Sequence, residues 1–431
     1  MRKLHLLSPL FLVLLANLLG FGVLFLSERQ PDITGLYYSL ALLAIVLLSY
    51  LIIVVFSLGD AYLFLIVSML LTVGIVTLFR LDAGQAIRQI LAFYVGMTGF
   101  YFVYFVFRKF SGWHKLILLY AALSFLLFAA TLLFGSYSGG AKNWLFGFQP
   151  SEPIKLLYIL GLSCMFTAPY STSRKKANSF IRKRFPALSR PLCFLFRLYD
   201  SQNGRQLLIM AFVYMHLGFL VLQREWGSAV LYFLIYFVMQ FVFDGKYRFL
   251  LLNLLLASGG GLLGYRFLTH IQERVAIWQN PFADPTDLGY QIIQSLYAMS
   301  AGGFMGTGIG LGRPDYIPVA TSDFIFAAIY EELGMLGAAA VVFLFFLLVY
   351  RGIKIALMVK RPFFKAVALG ISLMFGFQTL IIIGGVTKMI PLTGITLPFM
   401  SSGGSSLATS FIALAMLQAI SSKTEEISDD I

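Results

Sequence analysis

Acidic side chains stand together in one long polar stretch of an otherwise apolar chain, between Trp278 and Ser322. Asp284 precedes a proline there, and Asp287 follows three residues later, so one turn can hold both carboxylates. Two carboxylates this close can couple, which raises the pKa of one and makes it a better general base. An Asp before Pro is also typical of a plain turn, which is the alternative interpretation of Asp284.

Charged residues also stand at two other breaks between apolar runs. Glu152 and Lys155 lie three residues apart at the start of a predicted helix, and therefore share one helix face. The lysine could meet a phosphate, and the alternative is an acid at a helix start beside a snorkelling lysine. Glu225 stands in a short turn between two apolar runs, where the alternative is an exposed hairpin tip.

Lys388 and Ser401 lie near the last apolar runs. Lys388 falls on the side of the membrane where loops carry few positive charges, which favours anion binding over a purely topological role. A salt bridge is the alternative. Ser401 opens the sequence SSGGSS, for which the alternative to a binding role is close helix packing through small residues. The histidines and cysteines show no metal-ligand spacing.

The composition indicates which class of protein positions these residues. Hydrophobic residues make up 59% of the 431 positions and charged residues 12%, about half the charged fraction of a soluble domain. Apolar runs of about twenty residues have the length of a membrane-spanning helix and not of a barrel strand. We therefore predict an all-α polytopic membrane protein. The net charge of +13 is assigned to topology and to anionic membrane lipids, with no nucleic-acid partner.

The apolar runs and the loops between them predict a topology. Twelve spans are predicted, at residues 8–26, 36–57, 61–79, 90–107, 116–134, 152–168, 207–222, 228–243, 249–268, 323–350, 365–387 and 395–420. The basic loops, of which 169–206 is the richest in lysine and arginine, share one side if both termini are cytoplasmic.

The longest loop on the predicted outer side covers residues 269–322. The stretch from Tyr290 to Met299 is apolar and compatible with a helix, so we predict a short helix at the membrane interface. Six glycines follow between Gly302 and Gly312. Because glycine adds backbone freedom, we predict that residues 284–315 move during function. The alternative is a static loop whose glycines only allow close approach.

Five ordered motifs resemble those of the SEDS family (shape, elongation, division and sporulation), the polytopic glycosyltransferases typified by FtsW, RodA and SpoVE. They are GAKNWLFGFQPSEPIK at 140–155, LQREWGSA at 222–229, NPFADPTDLGYQIIQS at 280–295, TSDFIFAAIYEELG at 321–334 and IPLTGITLPFMSSGGSS at 390–406. The resemblance implies a ten-helix catalytic core at residues 61–420. Residues 1–60 would then be a two-helix N-terminal addition, and residues 421–431 a cytoplasmic tail.

This resemblance implies an activity and a partner. Members of the family polymerise lipid II into peptidoglycan glycan strands at the bacterial cell membrane, with a class B penicillin-binding protein as the transpeptidase. Asp284 matches the family's essential aspartate, Glu152 and Lys155 match its Glu/Lys pair, and Glu225 stands where the family usually has Asp.

The chain departs from the family pattern at three further positions within these motifs. Asp287 replaces a common glycine, Thr321 a common histidine, and Ser402 a common tyrosine. The first departure leaves open which carboxylate is the base, but none removes Asp284.

A lipid pyrophosphate leaving group requires cations and not a proton, so a single carboxylate base is sufficient where glycosidases use two carboxyl groups. Arg274, Lys155 and Lys388, and more weakly Arg88, are the predicted pyrophosphate contacts. A divalent cation, magnesium or manganese, is an alternative source of positive charge. The other predicted substrate-binding residues are Glu152, Glu225, Asp287 and Ser401.

Two other functions fit a polytopic membrane protein. A flippase for the lipid-linked sugar would favour charges at the membrane midplane and interrupted helices in repeated halves, whereas the candidate acid here lies in a loop. A non-enzymatic scaffold of the cell-wall machinery would not require Asp284. Both remain alternatives to the polymerase.

Overall fold

The computed structural model describes residues 7–27, 33–138, 140–167, 202–284 and 286–428. Within them the helices are α1 (Leu7–Ser27), α2 (Ile33–Val55), α3 (Ala61–Leu81), α4 (Ala83–Lys109), α5 (Ile117–Phe134), α6 (Ser151–Thr167), α7 (Gln202–Leu222), α8 (Trp226–Phe243), α9 (Tyr247–Phe267), α10 (Thr269–Gln279), α11 (Leu288–Gly302), α12 (Ile325–Met358), α13 (Pro362–Val386) and α14 (Gly404–Ser428). Strands β1 (Ser136–Ser138) and β2 (Ala141–Trp144) pair antiparallel. Residues 169–201 of the predicted basic loop lie outside the described residues.

Eleven of the described helices are long and apolar enough to cross a membrane, which confirms an all-α polytopic membrane protein. The one predicted span that is not among these eleven, residues 152–168, is the helix α6. Its 17 residues reach only about 25 Å, short of the roughly 30 Å hydrocarbon core. Most of its side chains are buried, so protein and not lipid surrounds α6.

Several predicted boundaries are wrong by more than three residues, among them the end of α12, which is Met358 and not residue 350. Two others have a local cause. The last helix begins at Gly404 and not at residue 395, because Pro398 lacks an N–H donor and Phe399 adopts a left-handed φ of 65°. The fourth helix begins at Ala83 and not at residue 90. The Asp82 side chain caps it by accepting a hydrogen bond from the Gln85 N–H at 3.0 Å.

The described chain divides into two compact units. The first unit comprises residues 1–111, 258–360 and 368–431, and the second comprises residues 112–257 and 361–367. The predicted site residues are divided between them. Asp284, Asp287, Arg274, Lys388, Arg88 and Ser401 belong to the first unit, and Glu152, Lys155 and Glu225 belong to the second.

In the first unit, α1 packs directly on α3. A Cβ on Gly20 would come within 2.9 Å of the Val76 side chain, so glycine permits this close approach. The rings of Phe21 and Phe79 meet edge to face at 5.5 Å. The N-terminal helix is therefore an integral part of this unit.

The glycine-rich segment 302–312 also lies in the first unit and packs against α12. Thr307 and Gly308 donate their N–H groups to the carbonyls of Glu331 and Glu332 at 2.9 and 3.0 Å. A Cβ on Gly306 would lie 2.3 Å from the Glu332 carbonyl oxygen. Gly306 therefore provides close approach, as in the alternative interpretation, and movement of residues 284–315 stays a prediction.

In the second unit, the β-hairpin joins two neighbouring elements. The Lys142 N–H donates to the Gln223 carbonyl at 3.1 Å, and the Lys142 ammonium donates to the Leu132 carbonyl of α5 at 2.6 Å. Below the hairpin, the buried rings of Tyr158 and Tyr232 stack at 4.5 Å and join α6 to α8. The hairpin thus leads into the start of α6 at a fixed position.

Candidate active site

Asp284 lies in the turn between the 3₁₀ turn Pro281–Ala283 and α11. One carboxylate oxygen accepts hydrogen bonds from the N–H groups of Thr286 and Asp287 at 3.5 and 3.3 Å. The other accepts from the Gly289 N–H at 3.4 Å. The N–H of Gly289, together with those of Thr286 and Asp287, holds the pKa of Asp284 below its usual range. The side chain is thus an ionised carboxylate at the N-terminal end of α11, where the helix dipole favours negative charge.

The possible coupling to Asp287 does not raise the pKa of Asp284. Coupling of two carboxylates would raise a pKa, whereas the pKa of Asp284 is lowered, because the surrounding N–H donors favour the charged form. Asp287 is exposed and precedes α11 without a capping hydrogen bond from its side chain. Asp284 is therefore the better-held carboxylate of the two.

Gly289 sets the shape of this turn. A Cβ at this position would come within 2.1 Å of the Asp284 carbonyl oxygen and 2.3 Å of the Pro281 carbonyl oxygen. Only glycine allows α11 to begin so close to the turn, and its N–H is one of the donors to Asp284. The sequence signal for this residue was the glycine after Asp287, to which sequence analysis assigned no role.

Helix α10 holds the segment that carries Lys388. The Arg274 guanidinium donates to the Leu392 carbonyl at 2.8 Å, and the Trp278 indole N–H donates to the Lys388 carbonyl at 3.1 Å. Arg274 and Trp278 are four residues apart and so lie on one helix face. Two of the predicted pyrophosphate contacts, Arg274 and Lys388, therefore lie on segments that are bonded to each other.

Lys388 is held in an uncommon backbone conformation, with φ of 60°. Its side chain is half-buried, and the described residues provide no carboxylate within ion-pair distance of it. The salt-bridge alternative is therefore not supported within the described part of the chain. Lys388 presents a cation at a fixed point, as an anion-binding lysine requires.

Asp323 is an acidic residue near Arg274 that sequence analysis missed. Gly394 approaches both side chains closely, with distances of 3.8 Å from its Cβ position to an Arg274 Nη and to an Asp323 Oδ. Burial raises the pKa of Asp323, while the Ser322 hydroxyl and Arg274 oppose this rise. Burial also lowers the pKa of Arg274, with Asp323 opposing. Asp323 belongs to the TSDFIF motif, which was its only signal.

Ser401 connects two segments of the first unit. Its hydroxyl donates to the Ser322 carbonyl at 2.6 Å and accepts from the Leu397 N–H at 2.9 Å. The Gln89 side chain of α4 brackets the same segment, donating to the Ser401 carbonyl at 2.8 Å and accepting from the Gly403 N–H at 3.0 Å. These contacts favour a positioning role for Ser401 over the predicted contact with substrate. Arg88, next to Gln89, is exposed.

In the second unit, Glu152 and Lys155 form a buried ion pair at 2.8 Å. Lys155 therefore pairs with Glu152, because a buried lysine needs a counter-charge. The snorkelling alternative is wrong, since Lys155 is only 3% exposed.

Glu225 is also buried, so the exposed-tip alternative is wrong for it. It accepts hydrogen bonds from the Ser151 hydroxyl at 3.1 Å and the Gln149 amide at 3.4 Å. Its second oxygen is buried and has no hydrogen-bond partner within the described residues. Burial raises the pKa of Glu225, with the hydrogen bonds opposing and Glu152 contributing to the rise. These contacts tie the start of α6 to the turn between α7 and α8.

No three His, Cys, Asp or Glu side chains of the described residues are grouped to hold a metal ion. The reaction below is written with the chain's own lysine and arginine side chains, and a divalent cation stays an alternative source of positive charge.

The sequence model of the FtsW/RodA/SpoVE family, described as cell cycle protein, matches residues 49–426. The chain belongs to this family. The family's peptidoglycan glycosyltransferase RodA from Mycobacterium tuberculosis is 33% identical over 383 residues, covering 84% of this chain and 78% of the relative. Stage V sporulation protein E of Bacillus subtilis is 34% identical over 387 residues, covering 84% and 96%. The predicted family membership is therefore confirmed.

A solved structure has a similar fold. It belongs to a peptidoglycan synthase complex and is described under the words structural coordination of polymerization and crosslinking. Its matching chain has a TM-score of 0.66 and 25% sequence identity, covering 85% of this chain and 98% of that chain. The FtsW/RodA/SpoVE fold therefore extends over most of the chain, and the protein is a multi-pass membrane protein.

Proposed function

We propose that this chain polymerises lipid II into β-linked glycan strands, with Asp284 as the general base. The chain is a peptidoglycan glycosyltransferase, as its RodA relatives are named. The observation that carries the assignment of the base is the position of Asp284, an ionised carboxylate fixed by three backbone N–H groups at the start of α11.

The reaction can be written from these residues. The acceptor hydroxyl oxygen attacks the anomeric carbon of the donor sugar, and the hydroxyl proton passes to the Asp284 carboxylate. The bond between the anomeric carbon and the pyrophosphate oxygen breaks, and its electron pair leaves with the lipid pyrophosphate. Direct displacement inverts the configuration, so an α-linked donor yields a β-linked polymer. A positioned base contributes about 100- to 10,000-fold to such a step.

Lys388 and Arg274 are the proposed contacts for the pyrophosphate. Charge-assisted hydrogen bonds to phosphate oxygens are strong, and the α10 contacts fix the backbone of Lys388. Arg274 uses one N–H for the Leu392 carbonyl, and a guanidinium has five N–H donors in total. Lys155, Arg88, Glu152, Glu225, Asp287 and Ser401 remain predicted substrate contacts, with pairing or positioning better supported for Lys155, Glu225 and Ser401.

We further propose that the chain acts with a class B penicillin-binding protein in the bacterial cell membrane, with both termini cytoplasmic. The chain is similar to one chain of a peptidoglycan synthase complex whose description names both polymerization and crosslinking. Since a transpeptidase performs crosslinking, this similarity supports a transpeptidase partner. The orientation follows from the basic loops of the sequence. A flippase or a scaffold is not favoured by any contact of the described residues.

The test is glycan-strand synthesis from lipid II by the full-length chain in nanodiscs with its partner. Asp284→Asn should lower the rate by about 100-fold or more without changing the thermal stability. The matched control is Asp287→Gly, which should retain activity. An active, well-folded Asp284→Asn protein would reject the proposed base, and a dead Asp287→Gly with an active Asp284→Asn would exchange the two roles.

A further inference from the structure

The turn that follows β2 in the second unit, called the tip below, has an unusual backbone. It lies at the end of the strand pair where Ser136 faces Trp144, and not at the connection between β1 and β2. Leu145 and Phe148 exchange both backbone hydrogen bonds, at 2.8 and 3.0 Å, so Phe146 and Gly147 form a two-residue turn. Both have positive φ, 50° and 78°. Such a turn favours Asn-Gly, and a bulky residue with positive φ is a genuine outlier. The sequence thus keeps an aromatic residue where the backbone disfavours one.

Phe146 gains no packing inside the protein to offset this cost. Its side chain is 95% exposed. Phe148 after the turn is exposed as well, and so is Tyr137 on β1. Strained residues of this kind persist where they serve a contact, so the tip is an apolar surface that requires an environment of its own.

The hairpin lies against the end of a membrane-spanning helix. The Lys142 ammonium on β2 donates to the Leu132 carbonyl in the last turn of α5. The next two residues of α5, Leu133 and Phe134, are each 72% exposed, as lipid-facing residues of a spanning helix are. Phe146 follows the last residue of β2 by two positions and so lies within about 7 Å of it along the chain. The tip therefore lies near the depth at which α5 leaves the lipid.

We propose that the tip, the turn of Phe146 and Gly147 after β2, inserts into the lipid headgroup region and anchors the second unit there. The occupant is the membrane interface, for two reasons. The tip continues the lipid-facing end of α5, and aromatic side chains concentrate at this boundary. The hairpin's only charged side chain, Lys142, is directed to the Leu132 carbonyl.

The anchor has a consequence for the buried polar cluster of the same unit. The hairpin runs directly into Gln149 and Ser151, which bind the Glu225 carboxylate, and α6 begins at Ser151. Insertion of the tip thus fixes the depth at which Glu152 and Lys155 lie. This role does not depend on which reaction the protein catalyses.

The test measures depth with nitroxide labels on the full-length chain in vesicles of phosphatidylethanolamine and phosphatidylglycerol. Single cysteines replace Phe146, Leu133 or Lys360 in a background in which Cys164 and Cys193 are alanine. We expect the label at 146 to resemble the lipid-facing label at 133, accessible to oxygen and shielded from a water-soluble nickel complex. Nickel access at 146 equal to that at the exposed position 360 would overturn the proposal. Shielding that arises only with the transpeptidase partner would replace the lipid by a protein contact.

A second measurement compares two variants of Phe146, one without and one with an aromatic ring. Phe146→Asn suits the turn, so it should leave the melting temperature unchanged or higher, and Phe146→Trp keeps an aromatic ring. With the label at position 137, the Asn variant should show at least about tenfold greater nickel access, whereas the Trp variant should match the parent. Equal depth in the Asn and Trp variants would reject the anchor.

Discussion

The Asp284 side chain is both ionised and held in position. Its carboxylate is held by N–H donors from the first residues of α11, so it is charged before the substrate binds. The same donors make it a weaker base than a carboxylate with a raised pKa. We infer that the enzyme relies on the position of Asp284 and on departure of the pyrophosphate more than on high basicity.

The lowered pKa of Asp284 predicts the acid limb of the pH profile. The base form is present above the pKa and is lost as the pH falls through it. Because the pKa lies below its usual range, kcat/KM should not decline through Asp284 until the pH is below about 4. Since kcat/KM reports groups of the free enzyme, initial rates at low lipid II concentration between pH 5 and 8 provide the measurement. An Asp284-dependent limb near neutral pH would contradict this ionisation state.

Gly289→Ala should lower polymerisation more than it lowers stability. The added Cβ would meet the carbonyl oxygens of Asp284 and Pro281, so the turn must open and the Asp284 carboxylate must move. A displacement of about 1 Å can cost about 100-fold in rate. Gly260→Ala on α9 is the matched control, because a Cβ there meets open space. If both variants polymerise normally, the close approach at Gly289 is unimportant for catalysis.

Lys388→Gln should weaken pyrophosphate binding. Loss of a charge-assisted contact to phosphate costs about 1.5–3 kcal/mol, which is about 10- to 100-fold in kcat/KM. Lys360→Gln, at an exposed lysine in the loop between α12 and α13, should leave the same parameter unchanged. Equal kcat/KM values for the two variants would remove Lys388 from the site.

At the scale of elements, the loop between α10 and α12 has two parts with different restraints. Residues 303–313 are bonded to α12 through backbone groups and through the carboxylates of Glu331 and Glu332. Arg80 of α3 reinforces this contact with an ion pair to Glu332 at 3.2 Å. In the turn before α11, the N–H groups of Thr286 and Asp287 donate to the half-buried Asp284 carboxylate at 3.5 and 3.3 Å.

Hydrogen exchange should distinguish these two parts. The amides of Thr307, Gly308 and Arg313 donate to α12 at 2.7–3.0 Å, so their exchange should be slower by at least about tenfold than that of Thr286 and Asp287. Adding the transpeptidase partner should change the rates at 286 and 287 and leave those at 307–313 unchanged. Rapid exchange throughout 303–313 would favour movement of the whole loop.

At the scale of the whole molecule, the N-terminal helix stands apart from the family pattern but not from the structure. The family match begins at residue 49, after α1 and within α2. Yet α1 packs on α3 through Gly20 and Phe21. We infer that α1 stabilises the first unit and takes no part in the reaction.

Deletion of residues 1–32 should therefore lower the melting temperature and leave the specific activity of the folded protein within about twofold. Gly20→Leu should reproduce part of this loss of stability, because its side chain would clash with Val76. Gly22→Leu is the control on the same helix, since a Cβ there meets nothing within 4 Å. Loss of polymerisation by a stable truncated protein would assign α1 a functional role.

The sequence by itself determined the class of protein, most helices and the candidate base. Long apolar runs predict spanning helices because the hydrocarbon core must be crossed with every backbone group bonded. Ordered motifs indicated the family, and the leaving-group chemistry required a single carboxylate and cations. These inferences depend on local composition and on residue order, both of which are legible in one chain.

Only the tertiary structure decided which polar side chains face each other. The lowered pKa of Asp284 comes from N–H groups oriented by a turn, and the positions of Arg274 and Lys388 come from hydrogen bonds across more than a hundred residues. Likewise, Gly302 and Gly306 provide close packing because the backbone of α12 lies against them. Such contacts join residues far apart in sequence, so no local pattern specifies them.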